Sequence, residues 1–108
     1  MNTQNIKNAI RILRERLIQR FGEGLKIYLF GSIARGDYDT DSDIDILVLL
    51  PFESNHSVEE EIFDIAYEIE LDYDVVFGII VYSFDFWVSH KARAMPLYKI
   101  VDKEGIPV

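Results

Sequence analysis

With 108 residues, 49% of them hydrophobic, the chain is one domain over 1–108, large enough for a core and too small for a second lobe. It has no cysteine and only two histidines, His56 and His90, which excludes a disulfide scaffold and thiolate metal sites and leaves oxygen as the donor for any metal. A net charge of -8 argues against direct nucleic-acid binding. No run reaches the ~20 apolar residues of a membrane span, and the N-terminus lacks a secretory signal, so a cytosolic protein with no membrane partner is expected.

Ile6, Ala9, Ile10, Leu13, Leu17 and Phe21 keep helical spacing, with arginines on the other faces, and Gly22 and Gly24 stop that helix. Leu25 to Phe30 reads as a first strand, Gly31 to Gly36 as a turn able to open a short helix, and Asp37 to Ser42 as a polar loop. Asp43 to Leu50 is a second strand closed by Pro51. Ser57 with Glu60 gives a capping-box signature, and Val58, Ile62, Ile65 and Ile69 form the buried stripe of the helix that follows. Tyr73 to Tyr82, apolar on both faces, is expected to be a central strand. Ser83 is placed as the cap of a helix carrying Phe84, Trp87, Val88 and Lys91, with Pro96 bending or ending it and Leu97 to Lys103 as a last helical stretch before Gly105. The fold class is α/β or α+β, a small mixed sheet with helices packed on it.

The segment most specific for chemistry runs from Gly31-Ser32 to Asp43-Ile44-Asp45. Residues i and i+2 of a strand point the same way, so Asp43 and Asp45 share a face while Ile44, Ile46 and Val48 enter the core opposite. Gly31 opens the backbone to a phosphate, and the Ser32 hydroxyl and neighbouring N–H groups can donate to its oxygens. The Gly-Ser turn meets the Asp pair if strands one and two are antiparallel, and Asp74 reaches the same end only if strands two and three are parallel. Lys7, Arg11, Arg14, Arg16 and Arg20 lie far from the acidic middle, Asp37, Asp39, Asp41, Asp43 and Asp45. Such an acidic mouth repels a naked triphosphate unless a divalent ion intervenes, and Mg²⁺ suits the oxygen-only inventory. These are the parts of a Mg-dependent nucleotidyl-transfer site.

Gly31-Ser32-x10-Asp43-x-Asp45, the Arg35-Gly36 between them, and Asp74-Val75-Val76 resemble the minimal nucleotidyltransferases of the DNA polymerase beta superfamily over nearly the whole chain. Members of this group are the antitoxin half of two-gene modules whose other half is a HEPN-domain RNase toxin. The resemblance implies a nucleotidyltransferase fold and transfer of AMP from ATP to a tyrosine of the toxin, with two Mg²⁺ ions held by Asp43, Asp45 and Asp74 as metal ligands and catalytic residues. Gly31, Ser32 and Arg35 would hold the nucleotide, with Arg35 neutralising phosphate charge. Two other readings stay open: a binding antitoxin with a vestigial site, and transfer to a small-molecule or nucleic-acid-end acceptor.

Plainer roles compete at each position. Gly-Ser alone is an ordinary turn, and two Asp at a strand entrance can be solvated. Asp72 rivals Asp74 because both share strand parity. Asp37, Asp39 and Asp41 are most simply a solvated loop. His56 and His90 lack a ligand-spaced companion, and Trp87 with Phe84 and Phe86 is more often core than an adenine platform.

Overall fold

The computed structural model describes residues 3–108. Helix α1 (Thr3–Phe21) buries Ile6, Ala9, Leu13 and Leu17, the heart of the stripe read from the sequence. After Gly22, strand β1 (Lys26–Phe30) leads straight into a one-and-a-half-turn helix, α2 (Gly31–Arg35), and a polar loop returns the chain to β2 (Ile44–Leu50). Helix α3 (His56–Tyr73) crosses over to β3 (Phe77–Ser83). Three helices, α4 (Phe84–Trp87), α5 (His90–Arg93) and α6 (Pro96–Glu104), precede a two-residue strand, β4 (Ile106–Pro107).

The sheet order is β3-β2-β1-β4. β1 and β2 run antiparallel with Phe30 opposite Asp45, and β2 and β3 run parallel with Asp45 opposite Gly78, so both strand directions on which the site depends hold. α3 supplies the crossover a parallel pair requires. β4, which the sequence reading did not anticipate, pairs antiparallel with β1 and closes that edge with a further bond from the Val108 N–H to the Ile27 carbonyl.

Alternation along β2 divides the molecule into two cores. Ile44, Ile46, Val48 and Leu50 pack with α1 and α3, whereas Leu47 and Leu49 pack on the other face with Phe30, Trp87 and Val101. Every one of these β2 side chains is essentially inaccessible. Full burial of each is worth roughly 1.5–3 kcal/mol, so β2 is the spine on which both helical layers depend. The second layer is tied by aromatic contacts: Trp87 lies 5.0 Å from Tyr98 and 6.0 Å from Tyr82, centroid to centroid.

Five sequence expectations are corrected. The third strand begins at Phe77, not Tyr73, because α3 continues through Tyr73 and ends on Asp74, which adopts the left-handed conformation (φ 54°, ψ 51°) and donates its N–H to the Glu70 carbonyl. That strand is an edge strand rather than a central one. Phe77, Ile79 and Val81 pack partly buried against one core and Tyr82 against the other, Ile80 is exposed, and the outer edge pairs with no strand of the described residues. The cap of α3 is Asn55, whose Oδ1 accepts the Val58 N–H at 2.9 Å, and not the Ser57–Glu60 box. The helix expected over 84–91 is split into α4 and α5, since Ser89 accepts the Ala92 N–H and starts a second helix. Ser83 caps α4 as expected, and Pro96 begins α6 rather than ending its predecessor.

Candidate functional site

Asp43 and Asp45 stand at the entrance of β2, Asp43 exposed and Asp45 half-buried. Neither carboxylate has a hydrogen-bond or ion-pair partner among the described residues. Two glycines make room for Asp45. A Cβ on Gly31 would stand 2.1 Å from Asp45 Oδ2, and one on Gly78 would stand 2.9 Å from Oδ1 and 4.0 Å from the Asp43 Cβ. Gly31 also holds a φ of +78°, a conformation that side chains disfavour, so the sharp passage from β1 into α2 and the close approach of Asp45 both require glycine there. Partial burial, and then the neighbouring Asp43 charge, push the Asp45 carboxyl above the usual carboxylate range; Arg35 opposes the shift and Glu104 adds to it. A cation relieves that repulsion. The donor set, two uncommitted carboxylates beside an oxygen-only surface, fits Mg²⁺, which binds through one or two carboxylates and completes its shell with water and phosphate.

Ser32 follows in the first turn of α2, half-buried, its hydroxyl making no hydrogen bond among the described residues. Arg35 is engaged: its Nε donates to Asp37 Oδ2 and its Nη1 to both oxygens of Glu104, all at 3.1 Å. Hydrogen bonds to Asp37 and then Glu104 raise the guanidinium further above its already high value. Glu104 Oε1 also accepts the Gly31 N–H at 3.1 Å. Two residues of the site escaped the sequence reading. Gly78 carried a signal, since glycine inside a strand marks close approach of another group. Glu104 carried none, being a lone acid at the end of a helix.

Asp74 is exposed and lies with Asp43 on the wall of a hollow of about 280 Å³, together with Thr40, Asp41, Ser42, Val75 and Val76. The Ile44 N–H to Val76 carbonyl bond, 2.8 Å, joins the two sides of that hollow. Among the described residues no three acidic or imidazole side chains form a metal-holding group, so the structure joins Asp43 to Asp45 and sets Asp74 beside Asp43. Asp72 is inside α3 and shares no strand with it. Asp39 is more than a solvated residue: its Oδ1 accepts the Asp41 N–H at 2.8 Å and shapes the loop that delivers Asp43. Trp87 is buried in the core as expected.

A family model described as a nucleotidyltransferase domain matches residues 10–105. The chain belongs to this nucleotidyltransferase family. One relative, from Methanocaldococcus jannaschii and assigned as a protein adenylyltransferase, is 40% identical over 58 residues, which are 54% of this chain and 59% of that protein. The match thus spans less than two thirds of that relative's length. A second so assigned in the same organism is 38% identical over 80 residues, 73% of this chain and 75% of the relative. Among solved structures, a toxin-antitoxin with AMP-PNP superposes with a TM-score of 0.59 at 22% identity, covering 88% of this chain and 68% of the other. A mutant of the toxin-antitoxin pair MntA-HpeT gives 0.58 at 23% identity, covering 100% and 72%. These two likenesses establish the nucleotidyltransferase fold. No helix among the described residues is long and apolar enough to cross a membrane.

Proposed function

We propose that the chain is a Mg-dependent nucleotidyltransferase that moves AMP from ATP to a hydroxyl of a partner protein, a tyrosine of a HEPN-domain RNase toxin, and so silences it as an antitoxin in the cytoplasm. The observation that carries the chemistry is the pair of uncommitted carboxylates, Asp43 and Asp45, with Asp45 pressed between Gly31 at the mouth of the Gly-Ser turn and Gly78 of the neighbouring strand. The assignment of two M. jannaschii relatives as protein adenylyltransferases supports a protein acceptor, and the toxin-antitoxin context of both structural neighbours supports a toxin as the partner.

In this reading Mg²⁺, when bound, screens the triphosphate and lowers the pKa of the attacking hydroxyl. Asp43 and Asp45 would hold the ions, and Asp74, exposed in the hollow it shares with Asp43, would be the third carboxylate. Gly31 and Ser32 bind phosphate oxygens through the backbone and the free hydroxyl, and Arg35 answers the negative charge. The acceptor oxygen bonds to the α-phosphorus, the bond to pyrophosphate breaks, and the hydroxyl proton passes to the Asp74 carboxylate. A tyrosine needs less help than an aliphatic alcohol because its pKa is about 10.

Label from α-³²P-ATP should pass to a HEPN-domain RNase encoded in the neighbouring reading frame only with Mg²⁺ present, and should be lost with Asp43→Ala plus Asp45→Ala. ATP binding without transfer to that partner, together with full neutralisation by the double variant, refutes catalysis and leaves an antitoxin that acts by docking.

A further inference from the structure

We propose that Glu104 holds the phosphate seat of the nucleotide site, its carboxylate occupying the place a substrate phosphate takes, so that nucleotide enters by displacing it. The inference rests on the reading of Gly31 and Arg35 as nucleotide-binding groups. One Glu104 carboxylate takes the Gly31 N–H and two contacts from the Arg35 guanidinium, all at 3.1 Å. A backbone N–H at a glycine turn and an arginine fork are what a phosphate oxygen seeks, and a carboxylate offers the same acceptor chemistry.

The single Gly31 N–H points at one acceptor, so Glu104 and a phosphate compete for it. Arg35 can serve both states, since its Nε is held separately by Asp37. Glu104 is also firmly placed. Its side chain is 19% exposed against 47% for Arg35, and the next residue, Gly105, folds so tightly on α6 that a Cβ there would stand 2.5 Å from the Val101 carbonyl oxygen. An acid set beside the unpartnered Asp45 adds repulsion to a site already rich in negative charge, which its three donor contacts offset only while the seat is free of phosphate. When Mg²⁺ and triphosphate arrive, the donors pass to the phosphate and the cation neutralises the carboxylates. The closed seat lowers apparent affinity by the fraction of molecules that hold it closed: if nine in ten do, the apparent Kd lies about tenfold above the intrinsic value.

Calorimetry on the full chain with Mg-ATP, Mg-tripolyphosphate and adenosine, for wild type, Glu104→Gln and Glu104→Ala, tests this. The expected result is tighter binding of ATP and of tripolyphosphate by both variants, about tenfold for Glu104→Ala and less for Glu104→Gln, whose amide oxygen still accepts the Gly31 N–H, with unchanged behaviour toward adenosine and a lower melting temperature for Glu104→Ala. A brace cannot produce that pairing, because losing a brace weakens stability and binding together. Wild-type binding of Mg-ATP with equal or weaker binding by a folded Glu104→Gln overturns the seat and leaves the nucleotide reading standing. Failure of wild type and both variants to take up any phosphate ligand overturns both. Should Glu104→Ala not fold, Glu104→Gln, which keeps the side-chain shape and one acceptor oxygen, decides alone.

Discussion

Replacing Gly31 by alanine separates two demands that meet at one residue. The first is conformational: a side chain at φ +78° costs roughly 1–2 kcal/mol. Gly36, the left-handed cap of α2 at φ +82°, makes the same demand, but a Cβ there meets nothing within 4 Å. Gly36→Ala therefore reports the backbone cost alone. The second demand belongs to Gly31 only. Its Cβ would stand 2.1 Å from Asp45 Oδ2, closer than the 3.0 Å floor of real contacts, so the carboxylate must retreat by about 0.9 Å (3.0 less 2.1). Forcing Asp45 off its rotamer adds about 0.5–1.5 kcal/mol. Gly31→Ala should thus lose about 1.5–3.5 kcal/mol and Gly36→Ala about 1–2. At ~4–8 °C per kcal/mol for a domain of this size, the difference between the two variants is visible in paired thermal melts. Calorimetry with Mg-ATP should show weakened binding for Gly31→Ala and little change for Gly36→Ala. Equal stability losses together with unaltered Mg-ATP affinity in Gly31→Ala would refute the claim that this glycine exists to admit Asp45.

Gly78→Ala presses on the other oxygen of the same carboxylate from a strand residue with ordinary φ, so it should weaken Mg-dependent nucleotide binding with a stability loss below about 1 kcal/mol, read by calorimetry beside a urea melt. Asp45 gives a pH signature. Its carboxyl is raised in the folded chain, so the folded state holds the extra proton between the ordinary aspartate pKa and the raised one, and metal-free stability falls as pH climbs through that window. Asp45→Asn should accordingly raise the metal-free melting temperature at neutral pH, with the gain fading below the ordinary pKa; a variant less stable than wild type at neutral pH contradicts this. Asp74→Asn should reduce label transfer by less than Asp43→Asn or Asp45→Asn does, because Asp74 stands outside the paired carboxylates; an equal or greater loss would make it a full member of the site. Trp87→Ala removes the aromatic anchor of the second core, and by analogy with other buried aromatics should destabilise the domain by about 3–5 kcal/mol in denaturant melts.

How much the sequence disclosed depended on the range of the interaction. Strand alternation placed Asp43 and Asp45 on one face opposite Ile44, Ile46 and Val48, because parity is a property of the backbone alone. Gly31 was legible as a turn, although the reason it tolerates no side chain, the approach of Asp45 from the paired strand, is tertiary. The sequence places Asp74 on a strand because Val75 to Tyr82 is an unbroken apolar run whose start leaves no mark. What stops α3 is a left-handed aspartate, a conformation that residue adopts more readily than most and that no local pattern announces. β3 reads as central because its residues are apolar at both parities, a pattern that is silent about a strand's edges. Glu104 was invisible for a simpler reason: its partners, Gly31 and Arg35, lie 73 and 69 positions earlier.

That separation bears on the order in which the molecule comes into being. During synthesis the Gly-Ser turn, the Asp43 and Asp45 carboxylates and the whole of α3 leave the ribosome before α6 emerges, so the carboxylate mouth is drafted early and stands without its C-terminal wall. Only when the final helix folds against Trp87 and Leu47 does Glu104 arrive, and a nascent chain would meet cellular nucleotide with that acid still absent.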